Sequence, residues 1–245
     1  MAPLADAITR LIERFGPEAV CTALEPLLTP ERIARIDQVI AARLGSVVAA
    51  VEDTYDPHNA AATIRTAEAL GLQELHVIEP GQRFPAAQGV TRGAHRWIDL
   101  HRWTDAEAAI ASLKARGFRV LVTAPPRVMD PGGPSARTGP TASVTVEDVD
   151  IAQPLAVLFG NEHDGVSPRA IAASDGAIAV PMFGFTESFN LSVTVGLAIS
   201  RLAARRRAYI GSLGDLEEAR RAHLRARWFA LRIRAAVNIV ERKLS

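Results

Sequence analysis

An asparagine and an arginine six residues apart, Asn59 and Arg65, follow the short valine-rich run Ser46–Glu52. An amide and a fixed positive charge therefore stand at one strand's exit. Asp56-Pro57 breaks the strand, and the spacing predicts a helix over Asn59–Leu70 with Asn59 as its N-cap. Arg65 lies nearly two turns along, so both side chains can face a site beyond the strand's carboxyl end. Taken alone, the segment reads as a capping Asn and a solvated Arg. Two later segments share its design. Leu155–Phe159 is a continuous apolar run of the buried-strand kind and ends in Gly160-Asn161-Glu162, followed by Gly165 and Ser167. The glycine lets backbone approach a ligand closely, and the carboxylate comes two residues later. Ala177–Val180 is a third short strand, stopped by Pro181, and Met182 to Asn190 leads from it into another helix. In open α/β sheets, ligands bind outside the carboxyl ends of the strands, so three polar loops at such ends point to one pocket.

The surrounding chain supplies the scaffold such loops need. Helical periodicity covers Leu4–Phe15, Glu18–Leu28 and Pro30–Leu44 before the first core strand. Strand Glu74–Ile78, helix Thr104–Arg116 and strand Arg119–Ala124 then alternate, which argues a parallel sheet with helices on its faces. Pro125–Gly139, rich in proline and glycine, reads as a loop, either a lid or a tolerated surface insertion. Beyond Asn190 a long helix runs to about Tyr209, Gly211–Gly214 breaks it, and a second helix is expected over Asp215–Lys243. The domain expectation is a helical extension over 1–45, a core over 46–205 and a basic helical extension over 206–245.

At 245 residues and 48% hydrophobic content, the chain can build a sizeable core. Its net charge of +1 is unevenly spread: Arg201–Lys243 holds twelve Lys or Arg against four acids. A basic helical tail on an acidic body suits phosphate binding, and Arg220, Arg221, Arg225, Arg227, Arg232 and Arg234 are its candidates; an Arg-rich solvated face has the same signature. Cys21 is the only cysteine, which excludes an intrachain disulfide, and the six histidines show no zinc-ligand spacing, so no metal is expected. No signal-peptide core or membrane-length apolar run is present, so a cytoplasmic protein without a membrane partner is expected.

Together the three loops resemble the motifs of the SpoU branch of the SPOUT RNA 2′-O-methyltransferases. The resemblance rests on Asn59 with Arg65, on Phe159-Gly160-Asn161-Glu162 with Gly165 and Ser167, and on Val180-Pro181-Met182 with Ser188 and Asn190. Order, spacing and context agree over residues 46–205, far more than one short pattern offers. Within the branch, the chain looks most like the tRNA guanosine 2′-O-methyltransferases that act on the D-loop guanosine at position 18. The resemblance implies an α/β fold, a parallel sheet flanked by helices with a C-terminal trefoil knot, although threaded chains are almost absent from proteins at large. It also implies S-adenosylmethionine as cofactor, tRNA as substrate and a homodimer that completes each site across its interface.

By the same carry-over, the catalytic set is Arg65, Asn59, Glu162, Ser188 and Asn190. In the family the arginine at the position of Arg65 is proposed to act on the 2′-hydroxyl, even as a general base once a substrate phosphate engages it. A guanidinium scarcely loses its proton, so stabilising the nascent alkoxide and positioning phosphate is the chemically safer role. Glu162 would pair with or position Arg65, or balance charge at a helix N-terminus ahead of Ser167. Thr123, Ala124, Gly160, Val180, Met182 and Phe189 would form the cofactor pocket, largely through backbone. Phe189 stands where the family usually has leucine, and Asn161 where it has a small residue. Ribosomal RNA methylation on the same scaffold and a non-catalytic RNA-binding protein are the rival readings. The first usually brings a separate N-terminal RNA-binding domain, and the intact polar set argues against the second.

Overall fold

The computed structural model describes residues 2–54, 56–79, 93–124 and 143–245, which divide into two compact units. One runs from Leu44 to Gly211; the other joins the chain up to Arg43 with Ser212–Ser245. The first unit has seven strands among the described residues: β1 (Val47–Glu52), β2 (Glu74–Ile78), β3 (Asp99–Trp103), β4 (Arg119–Thr123), β5 (Ser143–Thr145), β6 (Leu155–Phe159) and β7 (Ala177–Ala179). Every neighbouring pair is parallel, in the order β3-β2-β1-β6-β4-β7-β5. Sequence alternation therefore predicts the architecture correctly but misses β3 and β5. The first is a half-buried edge strand with the polar sequence DLHRW, and the second has three residues.

Helices α1 (Ala2–Phe15), α2 (Pro17–Leu24) and α3 (Pro30–Ala41) precede the sheet. Its unit contains α4 (Pro57–Ala69), α5 (Ala106–Ala115), α6 (Pro168–Ala173) and α7 (Leu191–Ile210), while α8 (Glu218–Arg232) and α9 (Ala236–Leu244) follow. The period of two along the strands sorts the core into two layers. Val47, Ala49, Val51, Val157 and Phe159 face Ile64 of α4 and Val195, Ile199 and Leu202 of α7. Val48, Ala50, Ala156 and Leu158 face Ile110 and Leu113 of α5 and Ala170 of α6. Both layers are buried, so the central strands read as unbroken apolar runs. Each fully buried Val, Leu or Ile contributes about 1.5–3 kcal/mol of apolar transfer, which is what fixes the strand ends in space.

Three consecutive arginines close the far end of α7 over this unit. Arg205 donates to the Val146 and Val149 carbonyls, both at 2.8 Å. Arg206 donates to Ser46 Oγ at 2.9 Å and to the Ile151 and Ala152 carbonyls at 2.6 and 2.9 Å. Arg207 reaches the Leu70 carbonyl at 2.9 Å. Charge-assisted bonds of this kind satisfy loop carbonyls that no strand ladder or helix reaches.

Two expectations about helices need correction. Helix α4 starts at Pro57, and its N-cap is Asp56, whose carboxylate accepts from the His58 amide at 2.8 Å. Proline fits the first helical turn, where its missing N–H is no loss, so the helix begins earlier and Asn59 is released from capping. The expected tail helix is two helices: Ile233 is extended (φ −110°, ψ 123°) and Ala235 is left-handed at φ 59°. No Gly or Pro marks that break; α9 turns to pack on α1 and α2 instead. The apolar face of α8, including Leu224, Trp228 and Phe229, is buried in the helical unit. Gly214 is obligatory there, because a Cβ would lie 2.4 Å from the Ala41 carbonyl oxygen.

Candidate active site

Strand β1 lies between β2 and β6, so the chain leaves its two neighbours in opposite directions, a switch point of the kind that opens a crevice at the strands' carboxyl ends. Val51 pairs with Phe159 in the β1–β6 register, which brings the first and second polar loops side by side. The Asn59 amide donates to Glu162 Oε1 across that gap. Asn59 is 8% exposed and Glu162 is exposed, so the bond presents one carboxylate, oriented from beneath, at the mouth of the crevice.

The second loop is folded by its own residues. Asn161 Oδ1 accepts from the amides of His163 at 2.8 Å and Asp164 at 2.7 Å, and its N–H donates to the Gly165 carbonyl at 3.2 Å. Asn161 thus has a local reason to replace a smaller residue. Gly165 is left-handed at φ 72°, and a Cβ on Gly160 would lie 2.0 Å from the Gly165 carbonyl carbon. Both glycines are dictated by this tight return. Ser167 then caps α6, its Oγ accepting from Ala170 N at 3.2 Å, while its own amide donates to Glu52 Oε2 at 2.9 Å. Glu52, 4% exposed at the end of β1, is a loop-positioning carboxylate that the sequence reading passed over as strand. A charged residue closing an otherwise apolar strand was the available signal.

Asn190 is the N-cap of α7, with Oδ1 accepting from Ser192 N at 2.9 Å and Ser192 Oγ at 2.7 Å. Ser188 is exposed just ahead of it. Val180 is buried and Met182 half-buried, whereas Phe183 and Phe185 are fully exposed and Phe189 is partly so. On β4, Thr123 Oγ1 donates to the Leu158 carbonyl at 3.3 Å and Ala124 N to the Ile178 carbonyl at 3.0 Å. Thr123, Ala124, Gly160 and Val180 therefore share the carboxyl edge of three adjacent strands, β6, β4 and β7.

Arg65 is placed differently. It is exposed on α4, makes no ion pair among the described residues, and lines a cavity of 590 Å³ with Ala62, Thr66, Glu68, Ala69, Ala94 and Trp97. The contact expected between Glu162 and Arg65 is taken within the chain by Asn59 and Glu162. Six helical residues turn a side chain through about 600°, which leaves Asn59 and Arg65 about 120° apart on α4.

The tail arginines also divide. Arg225 is committed to the helical unit: Nε meets Asp37 Oδ1 at 2.7 Å, Nη1 lies 3.4 Å from Glu25, and the guanidinium stacks 4.5 Å over Phe229. The Asp37 hydrogen bond raises its pKa further above the usual guanidinium range. Arg221 pairs with Glu218 at 2.5 Å, Arg220 and Arg227 are half-buried, and Arg232 and Arg234 are exposed.

A cluster that sequence spacing did not reveal lies on β2 and β3. Their register places His76 beside His101, and Glu74, His76 and His101 have ligand-type atoms within 4.8 Å of one another. Two of its groups are already engaged by neighbours. Trp103 Nε1 donates to His76 Nδ1 at 3.0 Å, and His76 Nε2 lies 3.6 Å from Glu74, beyond hydrogen-bond reach. Arg116 grips both oxygens of Glu74 at 2.8 Å. Burial, and then His76, hold the His101 pKa below the usual histidine value against the pull of Glu74 and Asp99.

The described residues form a parallel sheet with polar loops at the carboxyl ends of β1, β6 and β7, the first two tied together by Asn59 and Glu162, and this defines an α/β protein with a candidate site at those strand ends. The chain belongs to the SpoU rRNA Methylase family, whose model matches residues 46–200. It is 34% identical over 207 residues to a tRNA (guanosine(18)-2′-O)-methyltransferase of Borreliella burgdorferi, covering 84% of this chain and 88% of that one. It is 35% identical to the enzyme of the same name from Thermus thermophilus, covering 70% and 81% of the two chains. Among solved structures, the A. aeolicus TrmH/SpoU tRNA modifying enzyme superposes with a TM-score of 0.68 at 25% identity, over 82% of this chain and 96% of that one. The SpoU methyltransferase AviRb from Streptomyces viridochromogenes, in complex with the cofactor AdoMet, shares the fold with a TM-score of 0.54 at 20% identity, covering 66% and 60%.

Proposed function

We propose that this protein transfers a methyl group from S-adenosylmethionine to the ribose 2′-hydroxyl of a guanosine in tRNA, at position 18 of the D-loop. The observation that carries the reading is the Asn59–Glu162 bond, which joins two motif loops at adjoining strand ends of a SpoU-family sheet. The names of the Borreliella and Thermus relatives support the substrate. The AdoMet complex of AviRb supports the cofactor. The strand ladders end at Phe159 on β6 and Ala179 on β7, so the main chain of Gly160, Val180 and Met182 lies beyond them and suits a cofactor met by backbone. With Thr123, Ala124 and Phe189 these residues would hold it, and the bound cofactor supplies an activated methyl group.

In this reading Arg65 lies against the reacting ribose and stabilises the charge that develops on its oxygen. Asn59 and Glu162 orient the hydroxyl and the loop, and Ser188 and Asn190 complete the polar wall. The two directions in which Asn59 and Arg65 leave α4 are accounted for by a homodimer in which Arg65 serves the partner's loops. Exposed Phe183, Phe185 and Val193, on the third loop and the first turn of α7, suit such an interface. The reading includes a trefoil knot formed around the third loop and the start of α7, and a cytoplasmic setting shared with tRNA. No helix among the described residues is long and apolar enough to cross a membrane. The helical extensions would dock RNA, with Arg232 and Arg234 meeting phosphates alongside Arg220, Arg221 and Arg227, and with Arg225 serving the fold.

Mapping 2′-O-methylated nucleotides in cellular tRNA and rRNA, with and without the gene, tests the reading. Loss confined to guanosine 18 of tRNA is expected. Loss from rRNA would move the assignment to the ribosomal enzymes, and no loss anywhere would sink it.

A further inference from the structure

We propose that the cavity beside Arg65 seats a nucleobase of the substrate RNA next to the ribose being methylated, with Trp97 as the stacking platform that sets RNA affinity. The inference rests on the RNA methyltransferase reading and adds a residue that none of the three motif loops contains. The cavity's 590 Å³ is the size of a small-molecule site, within the usual range of about 300–1,000 Å³.

Its shape comes from local structure. Gly93 is left-handed at φ 85° and starts a single tight turn, Ala94–Arg96, closed by the Trp97 amide donating to the Ala94 carbonyl at 3.0 Å. Ile98, 3% exposed, roots the next residue in the core. The half-buried indole is thus presented by a fixed turn. The lining from α4 includes the small side chains of Ala62 and Ala69, which leave room for a flat ring.

Charge narrows the occupant. The lining carries one basic and one acidic side chain, Arg65 and Glu68, rather than the cluster of cations a phosphate seat needs, which suits a base better than a phosphate. Arg65, with no ion pair among the described residues, is left to meet the ribose or its phosphate at the rim. Unstacked RNA bases are recognised on aromatic faces in this way, and stacking tolerates many sequences because every base has a π-face.

The test is steady-state methylation of a tRNA transcript by full-length wild-type protein, Trp97→Ala and Trp97→Phe. It is accompanied by S-adenosylmethionine calorimetry and sedimentation of each variant. A stacked base lost with Trp97→Ala should raise KM for tRNA by about 5- to 150-fold, the range known for single base–aromatic stacks. The cofactor affinity and sedimentation coefficient of the wild type should be kept, and Trp97→Phe, which retains a ring, should recover most of the loss. An unchanged KM in Trp97→Ala, with active wild type, overturns the base seat and leaves the methyltransferase reading standing. A loss accompanied by a change in sedimentation overturns it in favour of a subunit contact. A wild type that methylates no RNA removes the methyltransferase reading and this inference together.

Discussion

Arg65 on α4 and Arg206 near the end of α7 are both arginines on helices that cover the same face of the sheet, and the fold treats them in opposite ways. Arg206 makes bonds to Ser46, Ile151 and Ala152 and is part of the architecture. Arg65 makes no ion pair among the described residues and faces a cavity. A count of basic residues cannot tell these apart, whereas their partners can. The same division runs through the tail, where Arg225 is bound inside the helical unit and Arg234 is exposed.

The comparison breaks first at Arg65. Arg65→Ala should lower methyl transfer by about 100-fold or more, as loss of one preorganised charge-stabilising donor does, while thermal stability changes by no more than about 0.5 kcal/mol. Arg65→Lys should also be poor, because an ammonium lacks the planar fork. Single-turnover rates with a melting curve check both, and near-normal turnover would make Arg65 an ordinary surface residue. Arg206→Ala should show the reverse pattern. It leaves several bonds unmade and should destabilise the protein by about 2 kcal/mol in denaturant titration, with a smaller effect on turnover per folded molecule.

The tail offers a finer contrast. Charge reversal of Arg232 and Arg234 to Glu should weaken tRNA binding and lower the slope of log affinity against log salt by about 0.7–0.9 per lost phosphate contact. Arg225→Ala should shift the melting temperature of the helical unit instead. Unchanged affinity and slope in a folded Arg232/Arg234 variant would mark those arginines as a solvated face.

The smallest effect concerns pH. Because the folded state holds the His101 pKa below its ordinary value of about 6.5, the neutral ring is favoured on folding. This contribution is fully present above that value and is lost as pH falls through it toward the folded pKa. Stability should therefore decline in mildly acidic buffer, and His101→Gln should flatten that decline. The groups facing His101 are His76, Glu74, Asp99 and Arg116. An equal decline in the variant would assign the effect to another group.

The parts of the molecule legible in sequence were those carried by local pattern. The strand runs of β1, β2, β4, β6 and β7 and the start of α7 near Asn190 follow from residue type and neighbours. What stayed hidden depends on pairing between distant segments. Glu52 reaches Ser167 across 115 residues, and His76 meets His101 only because β2 and β3 are in register. The end of α8 was hidden for another reason: an extended Ile233 and a left-handed Ala235 follow from packing, with no residue type to announce them.

The central claim is ribose methylation of one tRNA guanosine, and its most direct test is mass mapping of a tRNA transcript incubated with purified protein and S-adenosylmethionine. One methyl group should appear on the ribose of guanosine 18, and none on a transcript carrying 2′-deoxyguanosine there. Methylation of a base, of another nucleotide, or of the deoxy transcript would contradict the account.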